Sequence, residues 1–149
     1  MERPPNPPDT TNPTQVQIIL HSLSGHLALE TLRLLGHIAN HQLVILVNGG
    51  STHNFIQEPL VQQLGLTTRT TPPLRVMVGN GQHLHCDHLC EAVTITIQRN
   101  QFVMDLHVLP RCGANMVLGV QWLKTFGPIM TDYSILSMKF FHEGHLVEF

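Results

Sequence analysis

Ile45-Leu46-Val47-Asn48-Gly49-Gly50-Ser51-Thr52-His53-Asn54-Phe55-Ile56 passes abruptly from aliphatic residues to turn formers. The aliphatic run starts at Leu43 and reads as a buried strand, because it is apolar at consecutive positions rather than alternating. Asn48-Gly49 taken alone is the strongest short signal for a two-residue hairpin, and that is the plain reading of the turn. Ser51 and Thr52 carry hydroxyls able to tie such a turn by side-chain to backbone hydrogen bonds.

Outward from this segment, short β-branched or alternating runs are punctuated by Gly, Asn and Pro about every ten residues. Strands are expected over 17–21, 31–38, 42–47, 74–78, 83–88, 92–98, 101–109, 135–141 and 145–149, with tight connections at Asn40-His41, Gly79-Asn80-Gly81 and Arg99-Asn100. Such spacing predicts an all-β barrel or sandwich. Two segments depart from it. Residues 57–65 open with Glu58-Pro59 and close on Gly65, and 120–128 close on Gly127-Pro128, so each predicts a short helix. Each follows a strand that ends in a Gly-containing turn, at Asn48-Gly49-Gly50 and at Gly119, and this recurrence predicts a pseudo-twofold arrangement of similar halves.

Three segments in order carry a family resemblance. Ile45 to Ile56 resembles the active-site segment of retropepsin-like aspartic peptidases, as found in plant gypsy-type long-terminal-repeat retrotransposon polyproteins. The family motif there is an apolar strand followed by Asp-Ser/Thr-Gly-Ala/Ser-Thr/Ser; Gly50, Ser51 and Thr52 match, whereas Asn48 stands at the Asp position and Gly49 at the hydroxyl position. Val117-Leu118-Gly119-Val120-Gln121-Trp122-Leu123 is similar to the family's apolar-apolar-Gly segment and its helix. Val76-Met77-Val78-Gly79-Asn80-Gly81-Gln82 lies where the family carries its mobile flap.

The resemblance implies a closed acid-protease barrel with two short helices, working as a homodimer on an extended peptide or polyprotein substrate, without cofactor or metal. It makes Asn48, Gly49 and Gly50 the catalytic turn, Ser51 and Thr52 its support, and Val78, Gly79, Asn80 and Gly81 the flap. In such a dimer each chain supplies one carboxylate; like charges about 3 Å apart share a proton, so one acts as base and the other as acid. An amide accepts and passes on no proton near neutral pH. Asn48 therefore predicts an inactive aspartic endopeptidase. The alternative from another class is a non-catalytic homodimer that binds extended peptides by strand addition.

Composition narrows the remaining classes. Eight Lys+Arg against ten Asp+Glu, with only 12% charged residues, leave no basic field for a phosphate backbone, so no nucleic-acid partner is expected. No apolar run reaches the roughly 20 residues of a membrane helix, and no secretory signal is expected. Three cysteines make no disulfide framework, which predicts an intracellular, cytoplasmic chain. Pro4, Pro5, Pro7, Pro8 and Pro13 predict a disordered leader over 1–14, ahead of one domain over 15–149.

Gly79-Asn80-Gly81 lacks the Lys-Ser/Thr and the following helix of a phosphate loop. The cluster His83-Leu84-His85-Cys86-Asp87-His88-Leu89-Cys90 raises a metal reading, but on a strand Cys86, His88 and Cys90 would share one face in a line about 7 Å apart, converging poorly on one ion. Buried cysteines and surface histidines are the plainer expectation. Trp122 is expected as a core anchor.

Overall fold

A computed structural model of the chain describes residues 15–17, 31–77, 81–132 and 137–149. The expected leader and residues 18–21 of the first expected strand lie outside them. Strand β1 (Gln15–Gln17) is followed by β2 (Thr31–Ile38), β3 (His41–Asn48), β4 (Phe55–Gln57) and helix α1 (Glu58–Leu64). Then come β5 (Arg69–Met77), β6 (His83–Ile97), β7 (Asn100–Leu109), β8 (Met116–Leu118), α2 (Val120–Leu123), β9 (Met130–Asp132), β10 (Ser137–His142) and β11 (His145–Glu148).

Strands β6, β2, β3, β8, β4 and β7 pair in that order, and β7 returns to β6, closing a barrel of six strands. Strands β5 and β1 extend the sheet beyond β6. The expected all-β barrel with two short helices is present, and closure leaves the ring without a free edge. Strand β3 is central, with β2 antiparallel on one side and β8 parallel on the other. Both of its faces are covered: Leu43, Ile45 and Val47 enter the main core, and Leu46 enters a second cluster with Phe55, Val76, Cys86 and Val117. That is why its burial is continuous rather than alternating.

Strand β2 does alternate, burying Leu34, Gly36 and Ile38. At Gly36 a side chain would meet Ile45 Cδ1 at 2.5 Å and the Thr96 carbonyl oxygen at 3.1 Å, so a glycine lets β2 press between β3 and β6.

The two strands expected over 83–88 and 92–98 are one strand. Between Cys90↔Leu106 and Val93↔Met104, β6 gains one residue over β7, a β-bulge with Ala92 at φ 52°. The N–H that the bulge takes out of the ladder is donated by Ala92 to Asp105 Oδ1 at 2.9 Å. Replacing Asp105 with Ala is expected to cost about 1 kcal/mol of unfolding free energy, read by urea denaturation, by removing that acceptor. The expected shared face of Cys86, His88 and Cys90 is not kept: the two cysteines are buried in different clusters, and His88 is exposed.

Two hairpins sit one residue earlier than expected. Ile38↔His41 encloses Ala39-Asn40, and Ile97↔Asn100 encloses Gln98-Arg99, both of the latter left-handed at φ 49° and 69°. Asn100 Nδ2 donates to the Gln98 carbonyl at 3.1 Å, steadying the turn from its flank rather than forming its corner.

Helix α1 follows β4 rather than the Asn48 turn directly, so the two expected halves are not equivalent. It opens with Glu58-Pro59 and ends at left-handed Gly65 (φ 65°), whose N–H donates to the Gln62 carbonyl, while Leu66 N–H donates to Val61. Strands β9, β10 and β11 form a separate three-stranded sheet. An aromatic cluster fixes it to the barrel: Trp122 lies edge-on to Phe102 and Phe126 (ring centroids 5.5 and 4.9 Å), and Phe126 stacks at 4.1 Å on Phe140 of β10. Trp122 is a core anchor, as expected. Among the described residues no helix is long and apolar enough to cross a membrane.

Candidate functional site

Strand β3 carries the chain into the barrel wall and ends at Asn48, which is 1% exposed. The next residues do not form the hairpin that Asn-Gly suggests, because the following strand, β4, pairs with β7 and β8 and not with β3. The chain instead makes a tight corner. Ser51 N–H donates to the Asn48 carbonyl at 3.1 Å, and Gly50 N–H donates to Asn48 Oδ1 at 2.8 Å, so the Asn48 side chain folds back over its own turn. Ser51, fully buried, donates its hydroxyl to the His53 carbonyl at 2.8 Å.

This loop is clasped by a segment about 70 residues later. Val120 N–H donates to the Ser51 carbonyl at 2.8 Å and Gln121 N–H to the Thr52 carbonyl at 3.0 Å. Gly119 N–H donates to Asn54 Oδ1 at 2.9 Å, a buried bond from a side chain 2% exposed. The first N–H groups of α2, which a helix leaves without internal partners, are thus satisfied by the loop. Replacing Asn54 with Ala is expected to cost about 1–3 kcal/mol in urea denaturation, since the Gly119 N–H would lose its buried acceptor.

Of the residues expected at the site, the fold brings Asn48, Gly49, Gly50, Ser51 and Thr52 into one corner. Asn48 and Ser51 are buried; Gly49, Gly50 and Thr52 face outward. Ser51 supports the turn through its hydroxyl as expected, whereas Thr52 holds α2 through its backbone carbonyl. Val78, Gly79 and Asn80 lie outside the described residues. Gly81 is exposed at φ 84°, in the connection between β5 and β6, whose ends pair at Met77↔His83.

A family model described as retroviral aspartyl protease matches residues 17–135 of this chain. The chain belongs to the retroviral aspartyl protease family. Among solved structures it is similar to the retroviral protease-like domain of Ddi1 from Leishmania major, at 12% identity and a TM-score of 0.56 over 76% of this chain and 95% of that one. It is also similar to a retropepsin-like aspartic protease from Rickettsia conorii, at 17% identity and a TM-score of 0.51 over 68% of this chain and 84% of that one. At these identities the likeness concerns the fold. No curated protein matches the chain.

The matched span contains the whole barrel, the 48–54 loop and α2, and ends before β10 and β11. Within this retropepsin-like barrel, Asn54, Asn115 and His107 matter to the loop although no motif singles them out, whereas Gly119 is marked as the glycine of the apolar-apolar-Gly segment. Asn54 and Gly119 form the clasp. Asn115 accepts Val44 N–H on its Oδ1 at 2.7 Å and Gln57 N–H on its carbonyl at 3.1 Å, joining β3 to β4. His107 packs against His53 with ring centroids 5.0 Å apart. Asn54, Asn115 and His107 each act on a partner distant in the chain, so no local spacing marks them; among these three only the polarity of Asn54 just before apolar Phe55-Ile56 was a usable signal.

The chemistry available at the corner is that of hydrogen bonding. Residues 48–54 include no carboxylate. The Asn48 amide accepts through Oδ1 and donates through Nδ2, and it neither gains nor loses a proton near neutral pH. The three cysteines are free and buried, and burial pushes the Cys86 and Cys112 thiols up to about 11, so they are not activated nucleophiles. Among the described residues no group of three or more His, Cys, Asp or Glu side chains converges to hold a metal ion.

Proposed function

We infer that this domain is a retropepsin-type domain of retroelement polyprotein kind whose catalytic position is occupied by Asn48, so that it binds extended peptides as a homodimer without cutting them. One observation carries the reading: a buried amide stands at the end of β3, in the turn that the family resemblance makes catalytic, with Oδ1 engaged by the Gly50 N–H. A pair of such amides meeting at a twofold axis would hydrogen-bond without charge repulsion, but it supplies neither the general base for a water nor the general acid for the scissile carbonyl. Gly49 adds to the loss, since it has no hydroxyl to bond across the axis. Three free buried thiols fit a reducing, cytoplasmic setting.

The barrel and the connection around Gly81 would still offer a cleft to an extended strand, which is how the non-catalytic reading retains a function. The test is cleavage and binding of extended peptides by the wild-type chain beside an Asn48→Asp, Gly49→Ser chain, with sedimentation of both. A dimeric wild-type chain that binds but does not cut is expected. Cleavage by freshly prepared wild-type protein would overturn the reading.

A further inference from the structure

Two imidazoles pack beneath the 48–54 loop. The His53 and His107 rings stand edge to face, with planes at 81°, and the Phe55 ring lies 6.3 and 5.9 Å from them. The Nδ1 atoms of both histidines are buried with no hydrogen-bond partner. Both residues are built into the loop's support: the His53 carbonyl accepts the Ser51 hydroxyl, and His107 N–H donates to the Asn54 carbonyl at 2.9 Å.

The charges around the pair oppose a proton on it. Lys124, just after α2, acts on His53; Arg69 of β5 acts on His107 along the row Arg69↔Leu89↔His107. Glu91 of β6 is occupied by an ion pair with Arg69. Asp105 of β7 is the one acidic group that favours the proton on His107, and its Oδ1 already accepts the Ala92 N–H.

We propose that His53 and His107 form an acid-sensitive latch on the 48–54 loop: neutral, the packed rings hold the loop against β7; protonated, they separate and the loop opens. That the loop is an active-site or peptide-binding loop rests on the function proposed above, but the latch itself does not. Burial, then the neighbouring His53, holds His107 down at about 4, and burial followed by Lys124 lowers His53. A ring freed by opening titrates near its ordinary 6.5. Opening therefore takes up a proton as pH falls from about 6.5 towards 4, and the closed form is favoured fully above that window and progressively less within it.

The experiment is amide hydrogen exchange of the full chain, followed in peptides covering 49–54 and corrected for the intrinsic exchange rate at each pH. In the wild-type chain the opening equilibrium is expected to rise roughly 30-fold from pH 7.5 to pH 5, from the linkage of one proton on His107. The double variants His53→Phe with His107→Phe and His53→Gln with His107→Gln, in which neither position titrates, are expected to show less than about a threefold change over the same interval. Two variants are used so that a packing defect in one does not decide the matter. Unchanged wild-type protection at pH 5, or a pH dependence that persists in both variants, overturns the latch. Because the readout is exchange and not cleavage, a peptidase test that fails leaves this result standing, and the reverse holds too.

Discussion

Asn48→Asp combined with Gly49→Ser is expected to create peptide cleavage, inhibited by pepstatin-like compounds, between about pH 3 and pH 8, where the proposed function expects none from the wild-type chain. Asp and Asn have the same shape, so the Gly50 N–H keeps its acceptor at the Asn48 Oδ1 position. Nothing lies within 4 Å of a side chain added at Gly49, so the serine enters open space. The variant thus restores proton chemistry without repacking the loop. General acid–base catalysis contributes about 10²–10⁴ in rate, and in the proposed homodimer one substitution would supply both the acid and the base, so a gain of at least about 100-fold over wild type is expected. Gly49→Ser alone is expected to stay silent, because a hydroxyl there cannot transfer the needed proton. Fresh protein is the control, since Asn followed by Gly slowly deamidates to Asp. A folded, dimeric double variant that cuts no peptide would show that the corner at Asn48 is not a protease site.

Among the described glycines, Gly119→Ala is expected to be the most disruptive alanine substitution. The Cβ it adds would lie 2.4 Å from the Ser51 carbonyl oxygen and 2.6 Å from that of His53, and both obstacles are backbone. Gly119 itself is at φ −110° and ψ −161°, an extended conformation open to any residue. Its requirement for glycine is therefore one of contact and not of torsion. Relief demands that the loop and the start of α2 move apart, which breaks the bonds from Val120 to Ser51, from Gln121 to Thr52 and from Gly119 to Asn54 together. Overpacking in a relaxed core costs about 1–3 kcal/mol; with three hydrogen bonds coupled to the clash, at least about 3 kcal/mol is expected in urea denaturation. Gly49→Ala, in open space, is the matched control and should stay within about 0.5 kcal/mol of wild type. A Gly119→Ala chain as stable as that control would refute the clasp between loop and helix.

Local chemistry made much of the fold legible. The continuous apolar run at 43–47 marked a strand covered on both faces, and β3 is central in the barrel. Glu58-Pro59 and Gly65 bounded α1 because proline at a helix start and glycine past its end act within one turn of chain. Where local signals misled, a distant group had replaced them. The break expected near 89–91 is a bulge that Asp105, thirteen residues on, stabilises by taking the Ala92 N–H. The Asn40 and Asn100 corners shifted by one residue because strand register decides which residues turn.

The sequence by itself determined the class of the barrel, the two short helices, the family resemblance and the presence of an amide at the position where that resemblance expects an acid. All of these depend on residue identity or on contacts within a few residues. Tertiary structure alone decided that Gly119 lies against the carbonyls of Ser51 and His53, that Asn54 Oδ1 accepts the Gly119 N–H just before α2, and that His107 meets His53 beneath the loop. Those are pairings across 54 to 68 residues of chain, made when the barrel closes; steric fit and buried hydrogen-bond satisfaction select them, and neither leaves a period in the sequence.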